Sequence, residues 1–415
     1  MTSQTMYYII LAILVVQFVF DQWMEWLNKT RWQANLPAEL EDIYDAEKYS
    51  KQHEYRKANY GFGVLSDVFS FVVMIVFLMA GGFALVNGWV MNWSDNSIVQ
   101  SLLFFAVIGF GSSIIGIPFS IYGTFVIEER FGFNKTTPKT FVLDIFKSML
   151  VTALIGGPLL AVIMWIYSVA GLYFWLYAWM VSSVFMIFMT MFYTSLILPL
   201  FNKQKPLEDG ELRDALEAFS KKAGFKLDNI FVMDGSKRST KANAFFSGLG
   251  AKKRIVLYDT LINDLQTDEI VAVLAHEVGH YKLKHTLWGT LTGVFQTGVI
   301  LFVFGLVVGS PLLSQALGVE EPNFHIGMLA FGLLYSPVSF VTGIIMSVVS
   351  RKNEYAADAY AAGFQLGDHL ISGLKTISVN ALSNLTPHPL YVFFHYSHPP
   401  LLERIKAIRN LTSNH

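Results

Sequence analysis

Seven apolar runs divide the chain, and each is long enough to cross a hydrocarbon core of about 30 Å as a helix. The fourth and fifth runs are separated only by Ala170, Gly171 and Leu172, and together they are too long for one crossing. We therefore predict a tight helical hairpin at this point. The pattern as a whole is typical of a polytopic helical membrane protein, with runs at residues 6–26, 64–86, 102–127, 150–169, 173–199, 287–308 and 326–349.

Basic residues occupy only every second segment between these runs. Lysine and arginine are absent from residues 1–5, 87–99, 170–172 and 309–325. All of them lie in residues 27–63, 130–147, 200–286 and after Ser350. Because basic loops remain in the cytosol, seven crossings place the N-terminus outside and the C-terminus in the cytosol. The first run lacks a basic start and a small-residue cleavage site, so we interpret it as a retained helix rather than a signal peptide.

Composition agrees with a membrane protein and limits the possible chemistry. The 415 residues are 53% hydrophobic and only 15% charged, whereas soluble domains are about a quarter charged. A formal net charge of −1 gives no reason to expect nucleic acid as a partner. The chain has no cysteine, which excludes a disulfide framework, thiolate metal ligands and a cysteine nucleophile. Any metal site must therefore use histidine and carboxylate ligands.

Two regions between and after the runs could fold outside the membrane. In residues 200–286 we predict a helix over 207–223, strands at 230–233 and 255–258, and a helix near 267–284 with Thr267 or Asp268 as N-cap. The pattern of the C-terminal region predicts helix to about Leu366, and prolines then break the pattern. We expect a small α+β domain that caps the helices. The predicted boundaries are 1–199 for five membrane helices, 200–286 for the first part of this domain, 287–349 for two further membrane helices and 350–415 for its C-terminal part.

A metal-binding motif lies on the last predicted helix of the first region. His276, Glu277 and His280 form an HExxH sequence. Residues four apart share a helical face, so both imidazoles can bind one zinc ion, and the adjacent glutamate can polarise a water molecule. A chance match in an amphipathic helix is the alternative, and the motif's place beside a capped helix N-terminus argues against it.

A catalytic zinc ion usually takes three protein ligands, and Glu354 is the best candidate for the third. Glu354 and Asp358 lie four residues apart, so one can bind the metal while the other orients a ligand. A solvated acidic pair is the alternative. Topology favours a site, because the sixth run leaves the membrane where HExxH lies and the seventh returns directly before Glu354. His285 lies nine residues past His276, on the opposite face of the predicted helix, and is interpreted as a bystander.

A zinc site of this kind would hydrolyse a peptide bond, with Glu277 taking the proton of the attacking water. The tetrahedral oxyanion that forms requires a second stabilising group besides the metal. Near the C-terminus, His395, His398 and Arg404 are candidates. On chemistry alone, these histidines could equally cap a packed C-terminal helix.

Taken together, these segments resemble the type-1 CAAX prenyl endopeptidases, which are integral-membrane gluzincins. The motifs that carry the resemblance lie at 128–135, 243–248, 254–261, 276–280, 351–358 and 397–404. The resemblance implies one zinc ion per chain, held by His276, His280 and Glu354, with Glu277 as general base. It implies further that His398 and Asn243 contact the substrate or the oxyanion and that Arg404 and Asp358 support the site. It also implies that the seven helices enclose a chamber capped by the protease domain.

We expect a peptide or protein substrate, prenylated if the resemblance extends to specificity. A peptide can add as a strand to an exposed sheet edge, and residues 243–248, including Ala244, Phe245 and Phe246, are the candidate edge. A plain hairpin arm is the alternative. The lipid bilayer is the other partner, and an inner bacterial membrane and the endoplasmic reticulum are both compatible locations. Two other functions are open: a broad quality-control metalloprotease, and a seven-helix transporter or receptor with a vestigial metal motif.

Overall fold

The computed structural model describes residues 2–32, 35–225, 230–248 and 254–413, and helices dominate them. The helices before the soluble region are α1 Ser3–Thr30, α2 Ala46–Met79, α3 Gly82–Trp93, α4 Ser97–Tyr122, α5 Pro138–Val151, α6 Gly157–Ala170, α7 Phe174–Leu196 and α8 Leu198–Phe201. Those that follow are α9 Glu211–Lys222, α10 Asp259–Asp264, α11 Thr267–Lys282, α12 His285–Val307, α13 Pro311–Ala316, α14 Phe324–Ala362, α15 Gly367–Asn380, α16 Pro389–His395 and α17 Leu401–Thr412. Single π-helical turns at Gly123–Glu128 and Thr152–Gly156 extend α4 and join α5 to α6.

Six helical stretches of the described chain are long and apolar enough to cross a membrane. One of them, Pro138–Phe201, has 64 residues, and a straight helix of that length would measure about 96 Å, three times the hydrocarbon thickness. This stretch turns at Gly171, whose φ of +52° lies in the region that favours glycine. Beyond the turn α7 packs against α6, and the Tyr167 and Phe174 rings lie 5.3 Å apart. The stretch is thus a hairpin, as predicted, and the number of crossings is seven.

The second crossing ends earlier than the apolar pattern indicates. The predicted run over 64–86 is wrong at its far end, because α2 stops at Met79 and the separate helix α3 begins at Gly82. Gly81 makes the turn with φ +68°. Hydropathy could not reveal this break, since the residues on both sides of it remain apolar.

A four-stranded sheet forms the β part of the soluble region. Its strands are β1 Gln204–Pro206, β2 Ile230–Met233, β3 Ala244–Ser247 and β4 Arg254–Tyr258, in the order β1-β2-β4-β3. β2 and β4 are parallel, and β3 is antiparallel to β4 with Phe245 opposite Val256. β3 therefore lies at an edge of the sheet that the described residues form, as predicted, whereas β1 was not predicted.

The HExxH helix lies in the centre of the soluble core. Residues Ile270 to Ala275 of α11 are all buried, together with residues of α9, the sheet, α15 and α17. The predicted N-cap at Thr267 or Asp268 is wrong by one residue or two: Gln266 caps the helix and its backbone N–H donates to Glu269 Oε2 at 2.9 Å in a reciprocal capping box. The predicted helix over 207–223 begins only at Glu211.

The third metal-ligand candidate lies on a helix that is continuous with the membrane. α14 runs for 39 residues from Phe324 to Ala362 without interruption. The helical pattern is interrupted around the prolines, as predicted, but three further helices, α15, α16 and α17, lie after Leu366. Two of these helices begin at prolines, with Pro389 in the first turn of α16 and Pro400 at the N-cap of α17. Proline suits a first turn because that position needs no backbone N–H.

Candidate active site

The two histidines of the HExxH motif point the same ring nitrogen at a common space. Nε2 of His276 and Nε2 of His280 are 3.1 Å apart. The i, i+4 spacing on α11 produces this arrangement, since it places both rings on one face. His276 is buried, at 7% exposure, and His280 is partly exposed.

Glu354 completes a three-residue cluster from α14. Its Oε2 lies 3.4 Å from His276 Nε2, and its Oε1 lies 3.4 Å from His280 Nε2. The three potential ligand atoms all lie within 4.8 Å of one another. The close approach of α11 and α14 brings them together: a Cβ added to Gly279 would lie only 3.1 Å from Ala357 Cα.

A buried ion pair orients the first histidine. His276 Nδ1 lies 2.9 Å from Asp358 Oδ1. Arg404 binds the same carboxylate through both oxygens, at 2.8 Å and 2.6 Å, and its Nη1 lies 3.5 Å from Glu354 Oε2. Asp358 and Arg404 are both buried, so the pair is shielded from water and holds the His276 ring in one orientation.

His285 holds the second histidine, and the sequence-based interpretation of it as a bystander is wrong. His285 Nδ1 lies 2.9 Å from His280 Nδ1. α11 ends at Lys282, and Lys284 adopts a φ of +61°, so the chain turns and brings His285 back over the ring of His280. The predicted helix was extended through residue 284, which placed His285 on the wrong side. One feature of the sequence could have indicated this contact: a third histidine lies where the HExxH helix α11 turns into the membrane helix α12.

The donor set fits a divalent metal ion. When Asp358 and His285 accept from the two Nδ1–H groups, the lone pairs of both Nε2 atoms face each other, which is repulsive without a proton or a metal cation between them. Glu354 Oε2 is buried and accepts no hydrogen bond from the described residues. Burial lowers the pKa of His276, but its contacts with Asp358 and Glu354 raise that pKa further, to about 9. The surroundings therefore favour a positive charge at this point, and two imidazoles with one carboxylate are ligands that zinc commonly takes.

Glu277 lies between this cluster and the edge strand. Its Oε2 accepts a hydrogen bond from the backbone N–H of Phe246, in β3, at 3.2 Å. Burial raises the pKa of Glu277, and the imidazoles of His276 and His280 lower it by less. A carboxylate with a raised pKa is a better proton acceptor near neutral pH.

The remaining predicted residues divide into two groups. His398 lies at the site, with Nε2 3.3 Å from Glu354 Oε1 and a side chain that is 65% exposed. Asn243 is exposed immediately before β3, and its carbonyl accepts from the Tyr258 N–H at 3.1 Å. His395 is different, because its ring packs on Tyr391 with centroids 4.6 Å apart. Arg404 is occupied by its ion pair with Asp358.

Comparisons with known proteins agree along the whole chain. A family model described as CAAX prenyl protease N-terminal, five membrane helices, matches residues 26–203, and a model of peptidase family M48 matches residues 206–412. CAAX prenyl protease 1 of Saccharomyces cerevisiae is 34% identical over 96% of this chain and 94% of that protein. The CAAX prenyl protease 1 homolog of Homo sapiens is 31% identical over 91% and 89%. The crystal structure of S. mikatae Ste24p superposes with a TM-score of 0.90 at 35% identity, covering 98% of this chain and 100% of that one.

Proposed function

Since this chain belongs to the CAAX prenyl protease family, within peptidase family M48, we propose that it is a zinc endopeptidase that cleaves prenylated substrates near their C-terminus. The chain is an integral, multi-pass membrane protein and a metallopeptidase by family. The single observation that carries the proposal is the convergence of His276, His280 and Glu354 on one point beside Glu277. A transporter with a vestigial motif has no need of a complete donor set.

His276, His280 and Glu354 would hold the zinc ion. When bound, zinc lowers the pKa of a water molecule and polarises the scissile carbonyl. Asp358 would keep the Nδ1 proton of His276 in place, and His285 would do the same for His280. These contacts leave both Nε2 atoms as acceptors, which is the tautomer that metal binding requires.

Glu277 would take the proton of the attacking water and later deliver it to the leaving amine. His398 is exposed enough to meet a substrate and close enough to Glu354 to donate to an oxyanion formed beside it. Asn243 would contact the substrate backbone where it approaches β3. Arg404 acts through Asp358, as a positioning residue.

The substrate would bind in an extended conformation along β3. β3 is an edge strand, and the N–H of Phe246 already points at Glu277. A peptide paired with Ala244, Phe245 and Phe246 would therefore pass directly beside the general base. Edge pairing recognises the main chain rather than particular side chains, so prenyl recognition would fall to the membrane part of the protein.

Orientation follows from the basic segments. With seven crossings, every Lys and Arg lies in a segment on the same side as HExxH and Glu354, and basic segments favour the cytosol. We therefore infer that the site, residues 200–286 and residues 350–415 are cytosolic. We infer that these two segments form the protease domain and that the seven crossings enclose a chamber beneath it.

The test compares wild type with Glu277→Gln on a farnesylated CAAX peptide and on its unprenylated twin, with cleavage followed by mass spectrometry. Glu217→Gln, on the exposed face of α9, is the matched control. We expect the Glu277 variant to lose about 10²- to 10⁴-fold in rate while it retains one zinc ion per chain. Equal cleavage of both peptides would refute prenyl selectivity, and an active Glu277→Gln protein would refute the assigned base.

A further inference from the structure

A polar cavity lies where the first two crossings leave the membrane, apart from the metal site. It measures about 290 Å³ and lies between the end of α1, the middle of α2 and the segment around α16. That volume is near the lower end of the range for small-molecule sites, about 300–1,000 Å³. Its lining includes Glu25, Trp32, Arg56, Tyr60, Asp67 and Tyr391.

The cavity contains charges of both signs that do not neutralise each other. Among the described residues Arg56 forms no ion pair. Glu25 accepts a hydrogen bond from the neutral Tyr391 hydroxyl at 2.5 Å, and Asp67 accepts one from the neutral amide of Gln22 at 3.2 Å. For Arg56, which is partly buried, the lack of a counter-ion is unfavourable. A ligand that carries a negative and a positive group could satisfy both ends at once.

Unused hydrogen-bond donors define one end of the cavity and carboxylates define the other. Arg56 Nη2 and Trp32 Nε1 are buried and have no hydrogen-bond partner in the described part of the chain. Both are N–H donors, and the Arg56 guanidinium lies 4.8 Å from the Trp32 ring, so they suit one anionic group. The Tyr60 ring already lies beside a cation of the chain, the Lys29 ammonium group, 4.7 Å from its centroid. The carboxylates of Glu25 and Asp67 are therefore the groups that would receive a ligand ammonium group.

The location indicates where such a ligand comes from. Trp23 and Trp26, at the end of α1, are 48% and 54% exposed. On α16, Leu390 and Phe393 are also exposed. Exposed tryptophans at the end of a crossing mark the headgroup level of the bilayer, and zwitterionic phospholipid headgroups are the abundant ligands at that depth.

We propose that this cavity binds the headgroup of a zwitterionic phospholipid. The phosphate would bind Arg56 and Trp32, and the ammonium group would lie against Glu25 and Asp67.

A ligand bound in the cavity would affect the metal site through α16. Tyr396 lines the cavity, and its backbone carbonyl accepts a hydrogen bond from Arg351, which also donates to the Val392 carbonyl at 3.2 Å. Arg351 precedes Glu354 by less than one helical turn of α14. A bound headgroup would thus hold α16, and the segment that leads from it to His398, against the helix that carries Glu354.

The experiment measures lipid binding directly, so its result does not depend on protease activity. Delipidated full-length protein in detergent is titrated with dioleoyl phosphatidylcholine, phosphatidylethanolamine or phosphatidylglycerol and analysed by native mass spectrometry. Arg56→Gln and Asp67→Asn are compared with Arg130→Gln, an exposed arginine elsewhere on the same side. Asp67 is exposed, so Asp67→Asn keeps the test valid if Arg56→Gln fails to fold.

We expect one zwitterionic lipid to bind wild type and Arg130→Gln alike, and about tenfold more weakly to Arg56→Gln and to Asp67→Asn, as expected for the loss of one charge-assisted contact. Phosphatidylglycerol, which lacks the ammonium group, should bind wild type more weakly and should not distinguish Asp67→Asn. Unchanged affinity in both cavity variants would overturn the proposal. Equal affinity for soluble glycerophosphocholine would also overturn it, since the cavity would then take a free zwitterion rather than a lipid.

Discussion

Gly279, inside the HExxH motif, offers a sharp test of how the metal site is assembled. A methyl group at this position would lie 3.1 Å from Ala357 Cα, 3.1 Å from Tyr360 Cβ and 3.3 Å from the Ala357 carbonyl oxygen. Ordinary contacts of this kind are 3.4–4 Å. Two of the three obstructing atoms belong to the backbone of α14 and cannot rotate away. In Gly279→Ala, α11 and α14 must therefore separate by a few tenths of an ångström.

The substitution should affect both metal binding and stability. Overpacking costs about 1–3 kcal/mol, and replacing a helical glycine with alanine returns about 0.5–1 kcal/mol. The net loss of folding free energy is therefore at most about 2.5 kcal/mol. Metal–ligand distances, in contrast, tolerate only about 0.2 Å, and His276 and Glu354 lie on the two helices that move apart. We expect zinc affinity to fall about 10- to 100-fold, as for other disturbances of ligand orientation.

Competition with a chromophoric chelator measures zinc affinity, and thermal unfolding measures stability. Gly343→Ala is the matched control on α14, because an added Cβ there meets nothing within 4 Å. Its zinc affinity should equal that of wild type. If Gly279→Ala binds zinc as tightly as wild type, the close contact between α11 and α14 does not set the geometry of the site.

Three further perturbations test the groups around the ligands. Asp358→Asn should deprive the buried Arg404 of its two-oxygen ion pair and leave it only the 3.5 Å contact with Glu354, with a loss of about 3–5 kcal/mol in unfolding free energy; chemical denaturation checks this, and a loss below 1 kcal/mol would contradict it. His285→Ala should lower zinc affinity about tenfold, whereas His285→Gln, which retains an acceptor for the second motif histidine, should bind zinc more tightly than the alanine variant; equal affinities would remove His285 from the site. Finally, the pKa of His276 is raised to about 9 from an ordinary 6.5, so its protonation stabilises the fold of chelated protein, from which zinc has been removed. This contribution, about 3 kcal/mol, is fully present below pH 6.5 and disappears as the pH rises through 9. Thermal unfolding of chelated protein at low and high pH measures it, and the dependence should vanish once zinc replaces the proton.

The helical membrane fold and the enzyme family could be predicted from sequence because both rest on strong, local signals. Alternating basic segments determined the number of crossings, including the hairpin at Gly171. HExxH and the acidic pair at Glu354 and Asp358 pointed to a metal site, and the family matches confirm the enzyme class. The roles of the individual site residues remain predictions.

Two other reversals of chain direction could not be predicted from the sequence. Gly81 and Lys284 both adopt positive φ, yet neither interrupts the surrounding hydropathy, so the second crossing was predicted too long and His285 was placed on the wrong face. Helices next to prolines were also missed. Pro389 and Pro400 start helices rather than end them, and a proline by itself does not indicate which side of it is helical.

The division of the metal ligands between α11 and α14 also determines when the enzyme can first act. His276 and His280 are synthesised before α12, whereas Glu354 follows α14's passage through the membrane. Between them lie two crossings that must both be inserted before the helices can pack at Gly279. A nascent or misinserted chain therefore holds only two ligands and no working site. On the proposed ligand assignment, insertion of the last hairpin is therefore the step that completes the site.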